Sequence, residues 1–524
     1  HGVTSSGKTE IYIKLIEETL SKGKQVLYLL PEIALTAQIV NRLLVHFGSR
    51  TGVYHSKFSD NERVEIWNAV LNNLKNNNKP ETLNFEVHYD LILGARSALF
   101  LPFTNLGLVI IDEEHENTFK QTEPAPRYHA RDAAIYLAGL HKAKTLLGTA
   151  TPCMESYNNA ITGKYGFAEI FNRYGDLQMP EILVVDIKSE RHKNRMQSIF
   201  STLLMDLMTE AFNKKEQVIL FQNRRGFSPF LECHLCGWIP HCKNCDVTLT
   251  YHKVFNQLRC HYCGYSTTVP AACIACGSTN VQSKGFGTEK IEEDLALFFP
   301  EINIARMDLD TTRSKNAYNR IIGEFESGKI DVLIGTQMVT KGLDFDNVSV
   351  VGILNADAML NYPDFRAYER SFQLMAQVSG RAGRKNKRGK VVIQTNQPAH
   401  YVIKNVVNND FHLQFEQELT HREKFGYPPF IRLIGITLKH KDYKLLDRAS
   451  ADLVSRLRKK LGKRVLGPEY PAITRVRNLY QKKALIKLEH GVSHSKAKEI
   501  INEQISLFRS VDAFKPVRVL LDVD

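Results

Sequence analysis

The sequence predicts an α/β protein: two parallel-sheet lobes, a cysteine-rich module inserted in the second, and a small C-terminal α+β domain. Three observations predict it. Apolar, β-branched runs recur between amphipathic stretches, eight of the nine cysteines crowd into residues 233–276, and after about residue 400 the continuous apolar runs give way to alternating ones.

The first set of runs is 25–31 (QVLYLLP), 106–112 (LGLVIID) and 144–148 (KTLLG). The second is 217–221 (QVILF), 331–335 (DVLIG), 348–354 (VSVVGIL) and 390–395 (KVVIQT). Continuous rather than alternating apolar runs mark strands buried on both faces, as in parallel sheets flanked by helices. The expected divisions are a first lobe over 1–185, a second over 186–231 and 284–400, the inserted module over 232–283, and the α+β domain over 401–524. The charged stretch 188–195 (KSERHKNR) reads as the link between lobes, and 72–80 (NNLKNNNKP) as a polar loop. Beyond 400, Tyr427, Pro428, Pro429 and Phe430 precede an alternating run over 432–439, with strand-like runs at 484–488 and 517–521.

At 524 residues the chain has room for three or four domains. Its 43% hydrophobic and 24% charged content fits an ordinary globular protein rather than a disordered one. No apolar run reaches the ~20 residues that span a bilayer, and no secretory pattern is present, so no membrane association is expected. The net charge of +13 favours a polyanionic partner. The chain starts at His1, where a buried strand normally leads into the motif that follows; this reads as a fragment lacking its N-terminal part.

That motif is Gly2-Val3-Thr4-Ser5-Ser6-Gly7-Lys8-Thr9, which fits G-x-x-x-x-G-K-[ST]. Gly2 and Gly7 let backbone N–H groups wrap phosphates, and the next helix N-terminus adds its dipole. Lys8 is expected on the β- and γ-phosphates of ATP and the Thr9 hydroxyl on Mg²⁺. About a hundred residues on, the run 108–115 (LVIIDEEH) ends an apolar strand in acid. There Asp112 is the expected Mg²⁺ ligand, and Glu113 the group that orients or deprotonates water. Farther along, 148–152 (GTATP) is hydroxyl-rich, and 377–384 (QVSGRAGR) sets Arg381 and Arg384 one helical turn apart, as arginine fingers for the γ-phosphate.

The eight clustered cysteines form four C-x-x-C pairs: Cys233/Cys236, Cys242/Cys245, Cys260/Cys263 and Cys273/Cys276. Eight thiolates make two closed tetrahedral Cys₄ sites, hence two structural Zn²⁺ ions with no position open for chemistry. Fourteen residues separate the two inner pairs, close to zinc-ribbon spacing, which leaves the outer pairs as an enclosing site; sequential pairing is the alternative. Cys153, the ninth, reads as a buried thiol.

Taken together, these motifs resemble superfamily 2 helicases, and more closely their bacterial replication-restart branch. The resemblance spans nearly the whole chain. It is carried by Gly2 to Glu10, Leu30-Pro31-Glu32 through Gln38, 94–98 (GARSA), 112–115, 148–152, 223–226 (NRRG), 285–289 (GFGTE), 335–344 (GTQMVTKGLD), 377–384 and the cysteine insert. It implies two RecA-like lobes closing over ATP and 3′→5′ unwinding of DNA at stalled forks. It also implies help in reloading the replisome, the nested zinc pairing, and a bacterial cytoplasmic setting. By it Gly342 and Asp344 lie near the nucleotide or couple it to DNA. The implied partners are single-stranded and forked DNA, single-stranded-DNA-binding protein and other primosome proteins.

The stretch 119–129 (FKQTEPAPRYH) interleaves Phe119, Lys120, Arg127, Tyr128 and His129. It is similar to the aromatic-rich loop of related helicases, where bases stack and cations follow phosphates. The densest cationic runs, 456–464 and 384–390, read as solvated surface or as phosphate contacts, and Arg475, Arg477 and Lys482 are C-terminal DNA-contact candidates. Two other readings compete: a double-strand translocase or RNA-remodelling ATPase of the same superfamily, and a non-catalytic primosome scaffold.

Overall fold

The computed structural model describes the chain except residues 32–36, 56–57, 72–87, 177, 224–229, 234–237, 239, 241–242, 244–248, 253–255, 260–264, 285–287, 309–310, 313–316, 340–344, 361–363, 384–387, 472–473 and 524. Two compact units result: residues 1–223 with 288–415, and residues 224–287 with 416–524.

The first unit holds both parallel sheets. Lobe 1 is five-stranded, in the order Thr51–Tyr54, Leu91–Gly94, Gln25–Leu29, Leu106–Asp112, Lys144–Gly148, every neighbouring pair parallel. Successive side chains of a strand point to opposite faces. Val26 and Tyr28 accordingly enter the core under helix Lys8–Ser21 with Ile13 and Ile16, while Leu27 and Leu29 enter the opposite core with Ala130, Ala134 and Ala138 of helix Ala130–His141. Burial on both faces explains why these strands read as unbroken apolar runs.

Lobe 2 is six-stranded and parallel: Ile304–Met307, Val332–Gly335, Gln217–Phe221, Val348–Ile353, Lys390–Thr395, Glu181–Asp186. All seven expected strands are present. Two expected boundaries shift. Glu181–Asp186 pairs with Lys390–Thr395, so lobe 2 begins before residue 185, and the stretch read as an interlobe link forms helix Ile187–His192, capped by Asp186. Likewise helix Tyr401–Asn408 belongs to the first unit, and Phe411 packs on Phe372 and Tyr157, so the C-terminal domain starts after residue 415 rather than at 401.

In the second unit, the C-terminal domain runs strand Ile431–His440, helix Tyr443–Leu461, strand Val465–Glu469, strand Leu479–Glu489, helix His494–Arg509, strand Arg518–Val523. Its antiparallel sheet places the second and third of these strands on one side of the first and the fourth on the other, a split β-α-β-β-α-β arrangement. Leu446, Leu453, Leu457, Ile501 and Phe508 of the two helices fill its core. The cysteine module contributes an antiparallel pair, Phe230–Cys233 with Val281–Lys284, and a three-stranded sheet, Thr250–His252, Gln257–Arg259 and Ser266–Thr268. Among the described residues its apolar centre is Leu231, Leu249 and Leu258, with Val476 of the C-terminal domain packed against them.

Candidate nucleotide site and metal centre

The phosphate loop ends at Gly7, whose φ of 84° is left-handed, and helix Lys8–Ser21 starts on the next residue. A side chain at that φ is strained, which is why glycine stands there. Lys8 Nζ donates to the loop's own carbonyls, Gly2 O at 2.6 Å and Val3 O at 3.2 Å. Gly2 N–H donates to Thr149 O at 3.0 Å, so the loop lies beside the 148–152 segment.

Asp112 ends strand Leu106–Asp112. Its Oδ1 accepts from the Tyr12 hydroxyl at 3.2 Å and from Glu113 N–H at 3.1 Å, and its Oδ2 from the Tyr28 hydroxyl at 3.2 Å. Burial, with Glu113 beside it, pushes the Asp112 carboxyl up to about 6, against the pull of Lys8 and these hydrogen bonds. Tyr12, one helical turn after Lys8, turns the same helix face toward both groups. Neither tyrosine stood out in the sequence, although the Lys8/Tyr12 spacing carries the signal.

Glu113 faces lobe 2. Its Oε2 accepts from Gln377 Nε2 at 3.3 Å and lies 3.6 Å from His115 Nδ1. His115 in turn is 2.8 Å from Thr149 Oγ1 and 2.9 Å from Gln377 Nε2. Arg381 is buried nearby; burial works against its charge and the Glu113 carboxylate supports it. Arg381 is not on a helix, because helix Ala367–Ser379 stops before it. Arg384, Gly342 and Asp344 lie outside the described residues. Glu114, unassigned from sequence, is fully buried and accepts from Arg131 at 2.9 Å, Ser156 Oγ at 2.8 Å and Cys153 N–H at 2.8 Å, so it ties the acidic motif to the start of helix Met154–Ile161.

The stretch after the acidic motif forms a hairpin, Lys120–Gln121 with Tyr128–His129. The Tyr128 hydroxyl donates to Arg96 O at 3.3 Å and its ring meets Phe100 edge-on at 5.1 Å. Phe100, missed in the sequence, is exposed, whereas Phe119 is 1% exposed within the lobe 1 core. The expectation that Phe119 stacks on bases is corrected: its ring is core packing. Lys120, Arg127 and Tyr128 are partly exposed on the hairpin.

In the second unit Cys233, Cys273 and Cys276 bring their Sγ atoms within 4.8 Å of one another, Cys233 to Cys276 at 3.6 Å. A tetrahedral zinc with bonds of about 2.3 Å sets sulfurs roughly 3.8 Å apart, so these three fit the ion. They come from the first and fourth pairs. Cys236, Cys242, Cys245, Cys260 and Cys263 lie outside the described residues. Arg475 donates to Lys243 O at 2.5 Å, Lys482 pairs with Asp447 at 2.6 Å, and Arg477 sits at φ 51° in the turn between strands. Much of the 456–464 run is engaged: Arg456 pairs with Asp452 at 2.6 Å, Arg458 donates to Gly467 O at 2.8 Å, and Arg464 pairs with Glu489 at 2.6 Å.

Four family models match: the DEAD/DEAH box helicase over residues 1–160, the helicase conserved C-terminal domain over 274–386, the PriA DNA helicase Cys-rich region domain over 242–267, and the primosomal protein N C-terminal domain over 423–524. The chain is 42% identical over 490 residues to the replication restart protein PriA of Bacillus subtilis, covering 93% of this chain and 59% of the relative. Its counterpart in Synechocystis is 40% identical, covering 93% and 58%. That of Haemophilus influenzae is 38% identical over 100% of this chain and 69% of the relative. The chain thus spans somewhat less than two thirds of the first two relatives.

Proposed function

This chain belongs to the PriA family of replication restart proteins, and from that premise we propose that it is the ATP-driven motor portion of a DNA helicase. The observation that carries the reading is the junction at Glu113, where a carboxylate beside the phosphate loop of lobe 1 is held by Gln377 of the arginine motif of lobe 2. ATP hydrolysis needs a cradle for the phosphates, a base for water and a cation for the developing charge, and the two lobes supply them to one place.

Lys8 exchanges its carbonyl contacts for phosphate oxygens, and Gly2 and Gly7 let the loop backbone approach them. Thr9 and Asp112 would hold Mg²⁺, with Tyr12 and Tyr28 fixing the carboxylate. The chemistry such an ion would supply is neutralisation of phosphate charge. Glu113 orients water and takes its proton; Arg381, with Arg384, meets the charge on the γ-phosphate; by the family resemblance Gly342 and Asp344 act near the nucleotide or couple it to DNA. Lys120, Arg127 and Tyr128 contact single-stranded DNA on the hairpin, which follows the acidic motif in the chain. Cys233, Cys236, Cys273 and Cys276 would hold one structural Zn²⁺ and Cys242, Cys245, Cys260 and Cys263 a second. The protein moves 3′→5′, opens forked DNA, and works with single-stranded-DNA-binding protein and primosome proteins to reload the replisome.

The test is ATP turnover by the natural full-length chain with and without single-stranded DNA, wild type beside Lys8→Ala, followed by strand separation on a 3′-tailed duplex. Stimulation that disappears in Lys8→Ala, with unwinding, is the expected result. No stimulation from a folded, zinc-loaded protein would replace this reading with the scaffold.

A further inference from the structure

Helix Ala367–Ser379 and the residue before it carry a stripe of polar side chains of which the motor reading uses only Gln377. Arg366, Glu369, Gln373 and Gln377 are spaced three, four and four residues apart, which puts them on one helix face. That face lies on lobe 1 in strict order. Arg366 Nη2 donates to Glu155 at 2.6 Å, Glu369 Oε1 accepts from Met154 N–H at 2.9 Å, Gln373 Nε2 reaches Thr151 O and Pro152 O at 3.3 Å, and Gln377 reaches Glu113 and His115.

Glu369 is the buried charge in this series, 2% exposed. A carboxylate out of water needs strong partners. Met154 opens helix Met154–Ile161, whose first-turn N–H groups have no partner within the helix and whose dipole favours an anion. Arg366 adds a second tie, with Nε 3.9 Å from Glu369 and Nη2 on Glu155, one carboxylate from each lobe.

We propose that Glu369 is a positioning residue for ATP hydrolysis: by docking on Met154 it fixes the register of helix Ala367–Ser379 on lobe 1 and so sets where Arg381 lies. The proposal rests on the motor reading. Ten residues of helix, about 15 Å, separate Glu369 from the helix end at Ser379, so the anchor stands well away from the chemistry it controls. A slip of one turn would carry Arg381 about 5.4 Å along the axis. Charge suits the position, because a charge-assisted hydrogen bond is about twice as strong as a neutral one.

The experiment compares Glu369→Ala and Glu369→Gln in the natural full-length chain, reading kcat and KM for ATP with single-stranded DNA present, and the thermal midpoint. Expected is a fall in kcat of about ten- to a hundredfold in Glu369→Ala with KM within about twofold. Glu369→Gln, which keeps an acceptor for Met154 N–H, restores most of it. Should Glu369→Ala fail to fold, Arg366→Met, at a partly exposed position, is expected to show the same split. An unchanged kcat in folded protein, a loss confined to KM, or a rate that falls only in step with the midpoint would overturn the proposal. If the wild type shows no ATP turnover, it is the motor reading that falls. The distance between labels on the two lobes without nucleotide then decides: a broadened distance in Glu369→Ala supports the docking role, and an unchanged one sinks it.

Discussion

Gly148 ends a lobe 1 strand beside the Tyr12 hydroxyl, and a Cβ built there would meet that oxygen at 1.8 Å. Gly148→Ala is therefore expected to destabilise the protein by about 1–3 kcal/mol and to lower ATP turnover by displacing a hydroxyl that holds Asp112. Adding Tyr12→Phe to that variant should recover part of the stability but not the turnover, read by urea unfolding beside ATPase rates. His129 gives a pH prediction. Burial, then Arg131, depresses its imidazole to about 4, and Nδ1 has no hydrogen-bond partner. Between its ordinary 6.5 and 4 the unfolded chain binds a proton that the folded chain refuses, so stability present above pH 6.5 is lost as pH falls toward 4, by up to about 3 kcal/mol. His129→Gln should flatten that fall in urea midpoints measured from pH 7 to pH 4; an equally steep fall would reject it. Lys8, Asp112 and Glu113 stood out as candidates in the sequence because phosphate and metal chemistry call for set residue types at set spacings. Phe119 was not, since an aromatic between cations reads alike whether its ring faces solvent or the core.

Among elements, the strands buried on both faces were read from the sequence, and the short ones were missed. Thr51–Tyr54, Leu91–Gly94 and Ile304–Met307 have four residues each, too few for a pattern to rise above chance. Glu181–Asp186 was missed for another reason: it is a sheet edge, only partly buried, and its first residue is charged. The cysteine module shows the same division. Four pairs announced metal, but which pairs join is a matter of tertiary approach, and only the sulfurs of Cys233, Cys273 and Cys276 bear on it among the described residues. With nested pairing, Cys273→Ser should make Cys233, Cys236 and Cys276 reactive to a thiol reagent while the inner four cysteines stay protected. Reactivity at Cys260 and Cys263 instead would indicate sequential pairing.

For the molecule as a whole, the second unit is assembled from two distant parts of the chain. Val476 lies in the module's apolar centre, and Arg475 holds the Lys243 carbonyl. Four C-x-x-C pairs within a segment of about fifty residues mark a module that depends on its metal to fold. Removing zinc with a chelator is therefore expected to lower the melting transition of the C-terminal domain along with that of the module, and to leave the transition of the first unit in place. Calorimetry checks this, and a C-terminal transition indifferent to chelator would show the two parts to be independent.

Strand Glu181–Asp186 pairs with Lys390–Thr395. A ribosome would release the first of these strands some two hundred residues before the second, which at about 5–20 residues per second is a wait of roughly ten to forty seconds. The central strand Gln217–Phe221 also waits, since both its neighbours, Val332–Gly335 and Val348–Ile353, follow the cysteine insert. Lobe 2 is thus begun early and completed late, with the metal-binding segment emerging in the interval. During that interval the nascent chain carries apolar strands without their neighbours, the kind of surface on which incomplete folds aggregate.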